Sequence, residues 1–187
     1  YESRGRTWER AAFIKARVVA GDLKAGTLFL SRMLPFVWRK HLDFAAIEDA
    51  HNMRLAIRDH KGLGGAISLP GHDIKLGRGG IREIEFFTQT RQLISGGRDK
   101  TLRSRQTIES LLQLANQGWV PVKTAVAMSE HYKVHRKIEH RLQMINDAHT
   151  HNLPKSPEGF RRLAAMMGVE ENILKADIHR RLSVVHE

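Results

Sequence analysis

Apolar side chains recur at intervals of three and four residues along most of the chain, which is typical of helices with one buried face. Asp22 can cap one helix start, and Ser156 before Pro157 can open a later helix that Gly168 closes. No stretch alternates convincingly with period two, with the partial exception of residues 66–69. The pattern predicts an all-α fold, a bundle of about seven or eight helices. The predicted helices cover residues 7–20, 22–35, 36–60, 81–95, 104–117, 121–147, 156–168 and 170–186.

Residues 61–80 interrupt the helical pattern. This segment contains seven glycines and Pro70, and it is the only long irregular stretch of the sequence. Loops of more than about 12 residues inside a compact domain are usually functional or disordered. The length of this glycine-rich loop therefore directs attention to the residues at its end.

The end of the loop has the composition of an anion site. Its glycines allow tightly turned backbone, so that successive N–H groups can converge on one point. A helix predicted from Ile81 adds unpaired N–H groups and the positive end of its dipole, and a phosphate would fit there. The candidate phosphate-binding or nucleotide-binding residues are Lys75, Gly77, Arg78, Gly79, Gly80 and Arg82.

A purely structural interpretation of the same residues stays open. No Gly-Lys-Ser/Thr follows as in a Walker loop, and no apolar strand precedes the glycines. The segment could be a tight connection whose arginines are solvated or paired with Glu83 and Glu85. These two glutamates are possible active-site carboxylates, but they lie about 200° apart on a helix and can address one ligand together only if the helix begins after Glu83. The dipole alone explains a glutamate at position 83.

Composition indicates an ordinary globular protein with a basic surplus. The 187 residues are 41% hydrophobic and 27% charged, which predicts one helical domain over residues 1–187, with two subdomains as an alternative. The net charge of +11 can attract nucleotides, nucleic acid or an acidic protein surface. Because the cations are scattered through amphipathic segments without a reader motif or interleaved aromatic residues, we do not expect a nucleic-acid partner.

Several other features bear on the cellular compartment of the protein. Without cysteine, the chain has no disulfides or thiolate metal sites, and no apolar run reaches the roughly 18 residues of a membrane span. The first residues do not form a signal peptide, so we expect a cytoplasmic protein without a membrane partner. The chain opens at a tyrosine and almost directly into a helical pattern, which suggests a piece of a longer protein.

The histidines do not predict a catalytic or metal site. His131 and His135 have the i, i+4 spacing of metal ligands, and Glu139 continues the same helix face. Cationic neighbours disfavour a metal there, so we interpret these two histidines as solvated. His149 and His151 lie near a helix end and are expected to cap carbonyl groups. The sequence also has no Gly-x-Ser-x-Gly elbow, and we assign neither catalytic residues nor metal ligands.

Motifs spread over nearly the whole chain resemble those of the glutamine synthetase adenylyltransferase/adenylyl-removing enzymes. The opening Tyr1 fits the same resemblance. The matching motifs are Thr7-Trp8-Glu9-Arg10, Ile14-Lys15-Ala16-Arg17, Pro35-Phe36-Val37-Trp38-Arg39 with Leu42-Asp43, Lys75 to Phe86, Gln92-Leu93, Gly96-Gly97, Leu102-Arg103, Glu139 to Gln143 and Leu153-Pro154.

The resemblance implies a nucleotide-transferring parent enzyme. In that family, one unit adds AMP to a tyrosine of glutamine synthetase and a homologous unit removes it by phosphorolysis, under control of the PII signal protein and glutamine. Each unit begins with an α/β core that carries a Gly-Ser turn and an Asp-x-Asp pair for Mg²⁺, and a helical portion follows. This chain resembles the helical portion, more closely that of the N-terminal, removing unit.

The Asp-x-Asp pair is not found in this sequence, so the chain alone is not expected to catalyse the reaction or to bind a cofactor. The resemblance implies that Mg²⁺ and ATP or ADP serve the parent enzyme, and that Lys75, Arg78 and Arg82 face its cleft with the backbone of the three glycines. Two alternatives remain. One is the helical domain of a PII uridylyltransferase, and the other is a non-catalytic regulatory module that binds PII or glutamine synthetase.

Overall fold

The computed structural model describes residues 5–40 and 65–187, together with residues 48, 52 and 55. This part of the chain forms seven α-helices and two short 3-10 segments, Lys100–Leu102 and Ile145–Asp147, and contains no β-strand. The all-α prediction is confirmed. The α-helices are α1 (Thr7–Ile14), α2 (Leu23–Val37), α3 (Ile81–Ser95), α4 (Thr107–Asn116), α5 (Val122–Met144), α6 (Pro157–Met167) and α7 (Glu171–His186). Most of the helix predicted over residues 36–60, and the first residues of the glycine-rich loop, lie outside the described residues.

Several predicted helix ends are confirmed by their capping contacts. The Asp22 carboxylate accepts hydrogen bonds from the amides of Lys24 and Ala25 at the start of α2. At the start of α6, the Ser156 hydroxyl accepts from the amide of Gly159. Gly168 ends the same helix in the left-handed conformation, where glycine has no steric penalty. Among the described residues, no helix combines the length and apolar content needed to cross a membrane.

Helix α1 ends earlier than the sequence predicts. The pattern suggested a helix to residue 20, but α1 ends at Ile14 and Lys15 is its C-cap. The reason is tertiary packing: a Cβ atom at Gly26 would lie 2.7 Å from the Val18 side chain, so the Val18 side chain packs directly on α2. β-Branched Val18 and Val19 also have weak helix propensity.

Helix α2 continues past Pro35, where the sequence predicted its end. Phe36 and Val37 belong to α2 rather than to a new helix. Proline removes one N–H donor, but its φ suits a helix and the helix ends two residues later. Buried Arg10 of α1 donates from Nε and a terminal nitrogen to the Val37 carbonyl, at 3.3 and 3.1 Å, which satisfies a carbonyl group at this helix end.

The chain divides into two compact units. Unit 1 comprises Tyr1–Arg54 and Phe87–Val126, and unit 2 comprises Leu55–Phe86 and Ala127–Glu187. The division falls within α3 and α5, so each of these helices contributes residues to both units. The prediction of one domain over the whole chain stays a prediction.

The core of unit 1 joins α1, the end of α2 and α3. Gln92 of α3 is buried, and its side-chain amide lies 2.8 to 2.9 Å from the Leu102 and Ser104 carbonyls and the Ser110 hydroxyl. These bonds connect α3 to α4 without an unsatisfied buried amide. The buried apolar residues of this core are Ile14, Met33, Phe36, Val37, Trp38 and Leu93.

The Gly96-Gly97 pair lets the chain after α2 lie directly against the end of α3. A Cβ atom at Gly96 would come within 2.6 Å of the Trp38 ring, and one at Gly97 within 1.9 Å of the Arg39 carbonyl oxygen. These distances are too short for any side chain. Two motifs that are far apart in the sequence are therefore in contact in unit 1.

The core of unit 2 is built on α5, α6 and α7. The segment before α3 pairs with the segment before α6: the Ile74 amide donates to the His151 carbonyl at 3.0 Å, and the Leu153 amide to the His72 carbonyl at 2.8 Å. This pairing includes one isolated antiparallel bridge, between Asp73 and Asn152. The buried apolar residues of this core are Ile74, Ile138, Leu142, Leu153, Phe160, Leu163, Ala164, Leu174, Ile178 and Leu182.

Replacing Gly97 by alanine should destabilise unit 1. The added Cβ atom would displace the Arg39 carbonyl group, so we expect the free energy of unfolding to fall by about 2 kcal/mol or more in chemical denaturation. Gly65→Ala is the matched control, because no non-neighbouring atom of the described residues lies within 4 Å of its Cβ position. Equal stability of the two variants would contradict the close approach.

Candidate functional site

The segment before α3 is shaped by an aspartate turn. The Asp73 carboxylate accepts hydrogen bonds from the amides of Lys75 and Leu76, at 2.9 and 2.8 Å. Ile74 is fully buried in the core of unit 2, and its carbonyl accepts from the Ile81 amide at 2.9 Å. The turn therefore connects the core directly to the first residue of α3.

The three glycines of the candidate site are buried, and their amides already donate within the chain. The Gly77 amide donates to the Asp73 carbonyl at 2.8 Å, and the Gly80 amide to the Gly77 carbonyl at 3.1 Å. The Gly79 amide donates to the Glu83 carboxylate at 2.9 Å. Converging amides were the expected means of holding a phosphate, and these three have acceptors in the protein.

Packing explains why position 79 is glycine. Its φ is +70°, a left-handed conformation that L side chains rarely adopt. A Cβ atom there would lie 1.8 Å from the Leu182 carbonyl oxygen of α7. The glycine thus brings the turn into direct contact with α7.

Lys75 is paired with a buried carboxylate. Its ammonium nitrogen lies 3.4 Å from an oxygen of Glu139 on α5, and its side chain is 32% exposed while that of Glu139 is 1% exposed. Arg136 forms an ion pair with the same carboxylate, and His151 Nδ1 lies 3.0 Å from it. Lys75 and Arg136 offset a charge that would otherwise be costly to bury.

The two arginines of the site differ in their surroundings. Arg82, on the first turn of α3, is 49% exposed and forms an ion pair with Glu85 at 2.7 Å. This is one of the pairs that the structural interpretation of the segment predicted. Arg78 is partly buried, and its Nε has no hydrogen-bond partner among the described residues. A buried donor without an acceptor is unusual.

The two candidate carboxylates have different neighbours. Helix α3 begins at Ile81, so both glutamates lie within it and on different sides. Glu83 accepts from the Gly79 amide and lies 3.3 Å from His186 Nδ1. Glu85 accepts from the Tyr132 hydroxyl, also at 3.3 Å. A catalytic role for either carboxylate stays a prediction.

His131 and His135 are buried, so their interpretation as solvated residues was wrong. His135 has no exposed surface and donates from Nε2 to the Gly79 carbonyl at 3.1 Å. Burial lowers its pKa to about 4, which keeps the ring neutral. His131 Nδ1 accepts from Arg181 at 3.1 Å, and burial and the nearby Arg181 and Arg180 lower its pKa. The two histidines are four residues apart and therefore lie on one face of α5, and this face is directed into the interior of unit 2.

The sequence indicated Glu139 only as a member of a helix face. Its i, i+4 relation to His135 was visible, but its pairing with Lys75 depends on a contact between residues far apart in the chain. His151, expected to cap a helix end, faces this carboxylate instead. Within the described residues, no group of three or more His, Asp or Glu side chains could hold a metal ion.

A family model matches most of the chain. The model described as GlnD PII-uridylyltransferase matches residues 50–187, and the chain belongs to this family. This description names the kind of enzyme that the sequence motifs left open as an alternative.

Curated relatives name the particular kind of protein that this chain resembles. The chain is 56% identical to a bifunctional glutamine synthetase adenylyltransferase/adenylyl-removing enzyme of Rhizobium meliloti over 91% of its own length. It is 53% identical to the Mesorhizobium japonicum protein of that name over 90% of the chain, and 50% identical to the Bartonella henselae protein over 100%. The resemblance found in the motifs is confirmed. The chain spans 17 to 19% of the length of these relatives.

Acid should destabilise the protein through His135. Because the folded state holds the pKa of His135 at about 4, below the unfolded value of 6.5, the unfolded chain binds more protons between these values. We expect this residue to remove roughly 2 kcal/mol of unfolding free energy between pH 7 and pH 5. Urea denaturation of the protein and of His135→Gln at both pH values measures this contribution as a difference in pH dependence.

The control for this experiment is His179→Gln, because His179 lies exposed on α7. It should keep the full pH dependence. If His135→Gln and His179→Gln respond identically to pH, the assignment to the buried ring is refuted.

Removing the buried charge at position 139 should destabilise unit 2. In Glu139→Gln, Lys75 and Arg136 lose their shared anionic partner, and we expect a loss of about 2 kcal/mol in denaturant unfolding. Glu130→Gln is matched in residue type and helix, but its pair with Lys133 is more than half exposed, so the change should stay within about 0.5 kcal/mol. A Glu139 effect no larger than this would contradict the central role of the carboxylate.

Proposed function

We propose that this chain is the helical portion of an enzyme that transfers AMP to a tyrosine of glutamine synthetase and removes it again. The observation that carries the proposal is identity of 50 to 56% over at least 90% of the chain with enzymes named for these activities. The Pro-Phe-Val-Trp-Arg and Leu-Gly-Arg-Gly-Gly motifs favour the unit that removes AMP.

In this proposal, Lys75, Arg78 and Arg82 supply positive charge to the phosphates of the nucleotide. Arg78 Nε has no partner within the part of the chain that the structure describes, and Arg82 is exposed at the N-terminal end of α3, where the helix dipole adds to its charge. Lys75 keeps further donors, since an ammonium group has three. Cations fixed in advance stabilise developing charge without reorganisation.

Gly77, Gly79 and Gly80 support these side chains through the backbone. Since their amides are engaged, we propose that their contribution is to fix the turn against α7, with His135 holding the Gly79 carbonyl. The turn then presents its cations from a rigid base. Phosphate recognition would come mainly from side chains.

The described residues do not fit a magnesium site. The sequence has no Gly-Ser followed by Asp-x-Asp, and no cluster of three acidic or histidine side chains occurs in the described part of the chain. Mg²⁺ and ATP or ADP are therefore assigned to the parent enzyme, whose other portion would supply the carboxylates. No step of the reaction is assigned to a metal on this chain.

Glutamine synthetase is the proposed protein substrate, and the PII signal protein is a proposed regulator. The first follows from the names of the relatives, and the second from the description of the family model. The cytoplasm is the compartment that we expect for this activity.

A PII uridylyltransferase is the second candidate. The description of the family model favours it for residues 50–187. Glu83, which stands where the uridylyltransferase motif has aspartate, and the Thr-Trp-Glu-Arg start favour the first candidate, as do the names of the relatives. A third possibility is a regulatory module that binds PII without touching nucleotide. A nucleotide-binding measurement distinguishes this module from the two enzymes.

The proposal is tested in a chimera in which this chain replaces the matching segment of the Rhizobium meliloti enzyme. Lys75→Ala and Arg82→Ala should each lower the rate of AMP removal by about tenfold or more, because phosphate charge loses a fixed partner. Arg162→Ala, an exposed arginine on α6, is the matched control and should leave the rates unchanged. If both site variants leave adenylylation and deadenylylation unchanged, the site assignment is wrong.

Nucleotide binding provides a second measurement that does not depend on an active chimera. Titration of the 187-residue chain with ATP or ADP should shift the amide resonances of residues 75–82. The shifts should disappear when Arg78 and Arg82 are replaced by glutamine. Binding of PII without any nucleotide-induced shift at these residues would support the regulatory module instead.

A further inference from the structure

A second cationic feature lies in unit 1, apart from the segment before α3. A cleft of about 580 Å³ opens beside the C-terminal end of α2. Leu34, Pro35 and Trp38 line one part of it, and Gly97 and Arg103 line another. The cleft is thus formed where the Pro-Phe-Val-Trp-Arg motif contacts the Gly-Gly motif, and the proposed function does not use it.

Three cations line this cleft, and none of the described residues that line it is acidic. The cations are Arg39, Lys40 and Arg103. Among the described residues, no carboxylate lies within ion-pair distance of any of them. Asp99 lies close enough to favour the charged form of Arg103, but its carboxylate accepts hydrogen bonds from the amide and hydroxyl of Thr101. The positive charge of the cleft is therefore not neutralised by these residues.

Arg103 is held in place before any ligand binds. Its Nε donates to the Gly96 carbonyl at 2.6 Å, a terminal nitrogen lies 3.5 Å from the Gly97 carbonyl, and the guanidinium lies 5.4 Å from the centre of the Trp38 ring. An arginine has five N–H donors, so three remain without a partner among the described residues. A fixed, partly buried guanidinium loses little entropy on binding an anion.

The other wall of the cleft is apolar. Leu34 is 46% exposed and Pro35 is exposed beside it, so this wall can cover a hydrophobic surface. The volume falls within the range of about 300 to 1,000 Å³ that is usual for small-molecule sites. A ligand that suits both walls has a multiply charged group at one end and an apolar body at the other.

We propose that this cleft binds an organic phosphate of nucleotide size, with the phosphates on Arg39, Lys40 and Arg103 and the apolar body against Leu34 and Pro35. Three cations around one small cavity match several charges on one group, as in a polyphosphate. The carboxylates of an acidic peptide would be spread along a chain. The site lies in unit 1, so it does not rest on the proposed role of Arg82 in unit 2.

The test uses Trp38 as a reporter in the 187-residue chain. The sequence has three tryptophans, and Trp8 and Trp119 are each about half exposed, so a Trp8→Phe/Trp119→Phe background leaves the cleft tryptophan alone. ATP and pyrophosphate are titrated while the fluorescence is recorded. We expect a saturable change with both, and tighter binding of ATP because only ATP can cover the apolar wall.

Matched variants locate the site. Arg103→Gln should weaken ATP binding by about tenfold or more, the equivalent of a charged hydrogen bond. The double variant Arg39→Gln/Lys40→Gln tests the same site without touching the packing around Trp38. Arg105→Gln, an exposed arginine outside the cleft, and Arg82→Gln in unit 2 should each change the affinity by less than about twofold.

Each contrary outcome overturns the proposal. One such outcome is that ATP causes no saturable fluorescence change, and another is that Arg105→Gln weakens ATP binding as much as Arg103→Gln does. Two more are that pyrophosphate binds as tightly as ATP and that only a polyglutamate peptide changes the fluorescence. Loss of the signal in Arg82→Gln, with Arg103→Gln unaffected, would assign the binding to unit 2. The failure of this site and the failure of the proposed function therefore give different results.

Discussion

The burial of the Glu139 carboxylate is the constraint on which the arrangement of unit 2 depends. An ionised carboxylate inside a protein is tolerated when it is paired and hydrogen-bonded. Here the partners come from three places: Lys75 from the turn before α3, Arg136 from α5 itself, and His151 from the segment before α6. Lys75 and His151 are far apart in the sequence. Because both lie beside the same carboxylate, the burial of Glu139 constrains the segment before α3 and the segment before α6 together.

The internal contacts of the glycine-rich turn limit how it could bind a ligand. With its amides committed to internal acceptors and Gly79 in contact with the backbone of α7, the turn is a rigid support rather than an open cradle of N–H groups. Buried, neutral His135 completes this support through the Gly79 carbonyl. In the proposed function, a ligand would therefore contact the cationic side chains, chiefly Arg78 and Arg82.

Each unit contains a group of cationic side chains at a candidate anion site. In unit 2 these are the side chains of the turn before α3, and in unit 1 they are the side chains around the end of α2. This agrees with a net charge of +11 and with the lack of a metal-binding cluster among the described residues. In the proposed function, these cations bind and orient the phosphates of the nucleotide.

The sequence by itself determined the all-α class, the main helices and those ends that are set by local capping, such as Ser156 and Gly168 at α6. Capping and periodicity are short-range effects, so they can be read without knowing the fold. It also indicated which residues form the cationic turn. Only the tertiary structure decided the early end of α1, the continuation of α2 through Pro35, the burial of His131 and His135, and the pairing of Lys75 with Glu139. The burial of the histidines and the Lys75–Glu139 pair depend on contacts between residues far apart in the chain, and the ends of α1 and α2 depend on packing between neighbouring helices. Local sequence patterns do not contain the energies of either kind of contact.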